Sequence, residues 1–313
     1  MPGIRPDFET LENRSFNALQ RKMRTYELQV NASLVDSMDQ IRVDMSKIYE
    51  KYSADGKLSY ADMARYNRLS TMQKSTMASL DDATRANIRT FSKLRPELYN
   101  ESFYRYAWAI DQDAGVRLAW GVINKDVVLE TLASEYYNIS RAVYGPEARA
   151  TVRRALNDGL RQGKSYPKMM RDIRHAFDIT SSRAMRIVRT EGQTAVNAGQ
   201  EDLYTRAREK GIEGREIWDA TLDGRTRPDH QKMDGQAKRD DGLFHLPNGE
   251  TAPFPVWQGL SAAQRINCRC RPRFQIDEYP PLVRRSREGG VIPYQTYPDW
   301  EKNLNSKSGK STP

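Results

Sequence analysis

The sequence predicts a mainly α protein, with long N-terminal helices and a helical middle region followed by a small α+β C-terminal module and a flexible tail. Three observations carry this. No proline or glycine interrupts residues 8–52. Apolar residues through the first two thirds of the chain recur at steps of three and four, the signature of one helical face. After Gly214 the chain turns rich in Gly, Pro and Asp around short strand-like pieces. The expected domains are a helical region over 1–145, a second region over 146–279 that is helical and then α+β, and a basic tail over 280–313.

The first helix carries a seam, Leu19, Met23, Tyr26, Val30, Leu34, Met38, Ile41, Met45, Ile48 and Tyr52. Such a stripe predicts one rod of about 65 Å that needs neighbouring helices. Ala54-Asp55-Gly56-Lys57 breaks it, and Ser59 reads as the N-cap of a second helix running through Leu69, Met72 and Met77. A calcium loop is excluded there, because Lys51 falls where the first carboxylate belongs and Asp62 where the closing Glu belongs. Residues 82–142 continue helical and aromatic-rich, and their spacing assigns Tyr99, Phe103, Tyr104, Tyr106, Trp108 and Trp120 to packing. Helices are then expected over Pro146–Gln162 and Tyr166–Phe177, with Thr180 capping a third that ends near Lys210-Gly211. Strand-like pieces follow at Ile217–Leu222 and Arg273–Ile276.

The 313 residues are 29% charged against 38% hydrophobic, with a mean hydropathy of -0.80, which suits extended helices with much solvated surface. A net charge of +9 and a pI near 9.4 point to a polyanionic partner. The clustered Arg284, Arg285 and Arg287 at the start of the tail are the expected contacts for double-stranded DNA, bound without sequence preference. Cys268 and Cys270 lie too close in sequence for an ordinary disulfide with each other, which suggests a reducing compartment. No apolar leader and no apolar run of about 18 residues is present, so neither secretion nor a membrane partner is expected.

Chemistry has few places to reside. On the helix through Ala184, Ile187, Val188, Ala195 and Ala198, the position completing the apolar series is Glu191. A carboxylate there needs a partner, and the expected structural ion pair is with Arg225 or Arg227. Cys268 and Cys270, two apart, can turn both thiols to one side, with His230 as third ligand to a structural zinc; the alternative is two reduced cysteines in the core with no cofactor. Otherwise no cofactor is expected. Phosphate-binding glycine loops, nucleophile elbows and zinc fingers of paired Cys and His are absent, and no residue is assigned a catalytic role.

Four blocks in one order then carry a resemblance. They are Arg186-Ile187-Val188-Arg189-Thr190-Glu191, the run from Trp218 through Asp223-Gly224-Arg225-Thr226-Arg227 to His230, Met233-Asp234-Gly235, and Ile266-Asn267-Cys268-Arg269-Cys270. Over residues 147–275 the chain resembles the Mu F-like head-morphogenesis proteins of phages. The resemblance implies a minor head protein acting in procapsid assembly, with portal and capsid or scaffold proteins as partners. It implies a place inside the virion capsid, reached by assembly in the host cytoplasm, and a part in DNA retention or ejection. Residues 1–145 would be the docking region. Some members carry a cysteine pair where this chain has Arg227 and His230, and a histidine where it has Arg265, so only His230, Cys268 and Cys270 keep ligand-capable chemistry. The competing reading is an enzyme, a nuclease or nucleotide-transferring domain using Glu191, Arg225, Arg227 and His230.

Overall fold

The computed structural model describes residues 8–114 and 118–276, and beyond them the strands at 283–286 and 290–293 and the single residue Asp299. The order is α1 (Phe8–Tyr52), α2 (Tyr60–Ala64), a short 3-10 turn (Arg65–Asn67), α3 (Arg68–Ala114), α4 (Lys125–Thr131), α5 (Glu135–Arg161) and α6 (Tyr166–Glu209). The smaller elements follow: β1 (Gly214–Asp219), α7 (Pro228–Met233), β2 (Phe244–His245), β3 (Thr251–Ala252), α8 (Ala262–Arg265), β4 (Arg271–Ile276), β5 (Val283–Ser286) and β6 (Gly290–Pro293). The mainly α class with a small mixed module is as the sequence implies. Among the described residues no helix is long and apolar enough to cross a membrane.

Two compact units emerge, interleaved along the chain. One consists of residues 24–94 and 135–188, the other of residues 1–23, 95–134 and 189–313. We call them the helical unit and the mixed unit. Both draw on α1, α3 and α6, so their limits do not follow the order of the sequence.

In the helical unit the seam of α1 is buried through Leu34, Ile41, Met45 and Tyr49. It packs with Met72, Met77 and Leu80 of α3, Val152, Leu156 and Leu160 of α5, and Met169, Ile173 and Phe177 of α6. Such interdigitated apolar stripes supply most of the stability of long helices. The Ala54–Lys57 segment is a tight turn with Asp55 and Gly56 both at positive φ, 48° and 69°, and Ser59 accepts from the Asp62 amide as the expected cap, but the helix it starts stops at Ala64, and Leu69, Met72 and Met77 belong to α3. Gly163 ends α5 at φ 58°, where a residue with a Cβ is strained, and the Lys164 amide returns to the Gly159 carbonyl at 3.0 Å.

Two expected helix boundaries are absent. Thr180 lies inside α6, where its hydroxyl donates to the Ala176 carbonyl at 3.0 Å and so has no need of a cap position. Pro146 lies inside α5, which already begins at Glu135. Proline removes one intrahelical hydrogen bond there without ending the helix.

In the mixed unit α3 and α6 approach closely at Gly199. A Cβ there would come within 2.4 Å of the Tyr99 carbonyl oxygen, and beside it Ser102 donates to the Val196 carbonyl at 2.7 Å. β1 and β4 pair antiparallel, setting Trp218 opposite Pro272 and Asp219 opposite Arg271. The observed strands begin slightly earlier than the strand-like pieces of the sequence. A second core gathers Trp218, Ala220, Met233, Phe244, Leu246, Val256, Cys268 and Cys270. Within the segment expected to be a flexible tail, β5 and β6 form an antiparallel hairpin. Arg284 and Arg285 belong to β5, with side chains outside the described residues, and Arg287 lies outside them altogether.

Candidate functional site

The second half of α6 turns a line of polar side chains into the interior of the mixed unit: Thr190, Glu191, Thr194, Asn197 and Gln200 are all buried. A helix can bury such a row only if each group finds a partner. Thr194 donates to the Val256 carbonyl at 2.9 Å, and the Asn197 amide spans the carbonyls of Pro255 and Cys270 at 2.6 and 2.9 Å. The row therefore holds two loops of the module by their backbone.

Glu191 is wholly buried and takes two guanidiniums. Nη2 of Arg265 lies 2.6 Å from one carboxylate oxygen and Nε of Arg95 3.2 Å from the other. Burial pushes the Glu191 carboxyl above its ordinary value, against the pull of Arg265 and Arg95. The expected partners are not there. Arg225 is exposed and pairs with Asp223 at 3.2 Å, while Arg227 donates to the Ile266 carbonyl. Asp223 is also gripped by Arg269, with Nη2 at 2.7 Å. Periodicity marks Glu191 as a buried acid, but Arg265 lies 74 residues away on a one-turn helix that no periodic pattern reveals.

His230, near the middle of the six-residue helix α7, is buried with Nδ1 3.4 Å from both Sγ of Cys268 and Sγ of Cys270. The three ligand-capable atoms all lie within 4.8 Å of one another. The two cysteines sit in an extended loop just before β4, not on a strand, yet they turn their sulfurs the same way. Edge-on contact with Trp218, 5.2 Å between ring centres, fixes the imidazole plane. Burial opposes ionisation of Cys268, but hydrogen bonds from Cys270 and His230 outweigh it and hold that thiol well below its usual range. Burial, then the neighbouring sulfur, pushes Cys270 well above it. Two thiols and an imidazole fit a soft divalent ion such as zinc with three of its four places. Asp234, close enough for its charge to act on Cys270, is used otherwise: its carboxylate accepts the Ala220 amide at 2.8 Å.

A third polar cluster escaped sequence reasoning. Arg271 donates to Asp219 at 2.7 Å and to Asn13 at 2.8 Å, and Arg273 pairs with Glu9 and, at 3.2 Å, with Glu12. Glu12 also accepts from the Tyr204 hydroxyl at 2.9 Å. Burial raises the Glu12 carboxyl despite Arg271 and Arg273. The alternation Arg269, Arg271, Arg273 is a visible signal that these guanidiniums share a face, but not that the N-terminal turns of α1 receive two of them.

Glu191, Arg225, Arg227 and His230 thus do not converge on one cleft. Glu191 is enclosed between two arginines, Arg225 lies at the surface on Asp223, and His230 is enclosed with the cysteines. This arrangement can lock loops to a helix and hold an ion.

Residues 150–273 match the family described as Phage Mu protein F like protein, nearly the span over which the four sequence blocks carry the same resemblance. The chain is 28% identical over 273 residues to the Minor head protein GP7 of Bacillus phage SPP1, covering 85% of this chain and 88% of that protein. It is also 25% identical over 264 residues to the NAD(+)-arginine ADP-ribosyltransferase EFV of Enterococcus faecalis, covering 82% of this chain. Of that second relative the chain spans about half, 54% of its length. No solved structure matches the chain.

Proposed function

We propose, from the match of residues 150–273 to the Phage Mu protein F like family and the similarity of most of the chain to a minor head protein, that this protein is a phage minor head protein. It is built into the procapsid in few copies, on the portal or the inner face of the shell, with portal and capsid or scaffold proteins as its partners. There it meets double-stranded DNA and acts in its retention or ejection. Supporting a structural role most directly is the environment of Glu191, an enclosed acid clamped by Arg265 and Arg95. Co-expression with the portal protein of the same genome tests the portal partnership. A complex that survives size-exclusion chromatography is expected, and two separate peaks at micromolar concentration would refute it.

His230, Cys268 and Cys270 hold a structural zinc in this reading. The ion would supply cross-linking, tying α7 to the loop before β4.

One observation favours a second reading, the similarity to a relative named as an ADP-ribosyltransferase. Since the chain spans about half of that protein, the activity in its name need not reside in the shared part. Incubation of the full chain with labelled NAD and an arginine-containing acceptor decides it, and any transfer above a blank would revive an enzymatic role.

A further inference from the structure

We infer that a surface meeting the DNA backbone is on the helical unit, along α5 and the first half of α6. The inference deepens the head-protein reading and rests on it for the choice of polyanion. The charge is unevenly divided. Residues 24–94 and 135–188 hold 22 Lys and Arg against 14 Asp and Glu, whereas the other unit holds 28 against 27. Nearly the whole net charge of +9 therefore belongs to the helical unit.

Within that unit the excess is concentrated further. Residues 135–188 contribute 11 of the cations and five of the acids. Arg153 and Arg154 on α5, and Lys168, Arg171 and Arg174 on α6, are all exposed. Arg149 and Arg183 are already engaged by Asp81 and Glu147. Among the described residues no acid pairs with Arg153, Lys168, Arg171 or Arg174, so their charge faces solvent. Between α3 and α5 the same surface sinks into a groove of about 480 Å³ lined by Arg85, Arg149 and Arg153 with Thr84 and with Asp81, which Arg149 neutralises.

Two features select a duplex backbone. The unpaired cations are several and repeat at helical spacing, Lys168, Arg171 and Arg174 along about 9 Å of α6 at 1.5 Å per residue with Arg153 and Arg154 on α5, and so match the repeated charges of a backbone better than a single anionic group. Over 149–186 Phe177 is buried, Tyr166 packs edge-on against Tyr49 and His175 is the one exposed aromatic ring, so the face offers no run of Phe, Tyr or Trp on which successive unstacked bases could lie. It reads phosphates alone, without sequence preference.

The test is fluorescence anisotropy of the full chain with a labelled random-sequence duplex over a salt series. The triple variant Arg153→Gln, Arg171→Gln, Arg174→Gln should bind at least about tenfold more weakly at low salt. Its slope of log K against log salt should flatten by up to about three, close to one for each phosphate no longer neutralised. A second variant, Arg154→Gln with Lys168→Gln, should flatten it by up to about two, which guards against a fault peculiar to the first. Arg284→Gln, Arg285→Gln, Arg287→Gln should change both quantities less than the first variant does. The inference is overturned if the helical variants keep wild-type slope and affinity, or if only the tail variant loses them. It is equally overturned if polyglutamate competes as well as duplex, charge for charge, since the face would then suit an acidic protein. Because purified protein is used, such a failure leaves incorporation into heads unaffected and is distinguishable from failure of the head-protein reading.

Discussion

Arg265 reaches Glu191 at 2.6 Å across 74 residues of chain, and both side chains are buried. Glu191 also holds Arg95 at 3.2 Å, so the three residues are not equivalent. Removing the acid takes a buried counter-charge from two guanidiniums, whereas removing Arg265 leaves the acid one of its two cations. Glu191→Leu should therefore destabilise the protein more than Arg265→Met, with the larger loss about 3–5 kcal/mol. Urea unfolding of the full chain measures both. Equal stability of the two variants and the wild type would contradict a structural clamp.

A second prediction concerns pH. Glu201 on α6 lies beside Glu216 of β1, and Lys238 bonds both, at 2.6 and 2.8 Å. Burial, then the charge of Glu216, pushes the Glu201 carboxyl up to about 8 despite Lys238. Between its ordinary value near 4.5 and about 8 the folded chain binds a proton that the unfolded chain has lost. The stability this group contributes is complete below about 4.5 and is lost as pH rises through about 8. Thermal melting from pH 5.5 to 8.5 should fall more steeply for the wild type than for Glu201→Gln. Parallel curves would show that the carboxyl titrates normally.

The zinc reading makes a separate prediction, because a bound ion stabilises only the folded chain. Protein purified without chelator should carry about one zinc per chain by elemental analysis, and a strong chelator should lower its melting temperature. Cys268→Ser should lose the metal and the chelator effect together. Absence of zinc combined with melting that ignores the chelator would leave His230, Cys268 and Cys270 as a hydrogen-bonded core cluster.

The N-terminal turns of α1 are predicted to belong to the C-terminal module in folding. Arg271 and Arg273 are buried against Asn13, Glu9 and Glu12. A chain beginning at residue 24 would leave both guanidiniums without those partners. It should lose protection from hydrogen exchange in β1 and β4. Retention of native protection there would show that the module folds without α1.

The helical seam was legible because a period of 3.6 is written locally: Leu19 through Met45 fall where the spacing puts them, and the turn at Asp55-Gly56 follows from residues that tolerate positive φ. Glu191 as a buried acid was legible for the same reason, and the shared direction of Cys268 and Cys270 from their spacing of two, which extended backbone keeps even off a strand. The partners of Glu191 were not, since Arg95 and Arg265 are brought to it by tertiary packing. Thr180 misled because the same hydroxyl that caps a helix can bond back within one. The interleaved units were hidden most deeply, because nothing local in α1 records that residues before 24 pack with β4 while those after join α5 and α6.

The most direct measurement is the protein content of heads purified from cells producing the phage that encodes this chain. Quantitative mass spectrometry of DNA-filled and empty particles should find the chain, at a small fraction of the copy number of the major shell protein. Its presence in the lysate with none in either kind of particle would contradict a minor head protein.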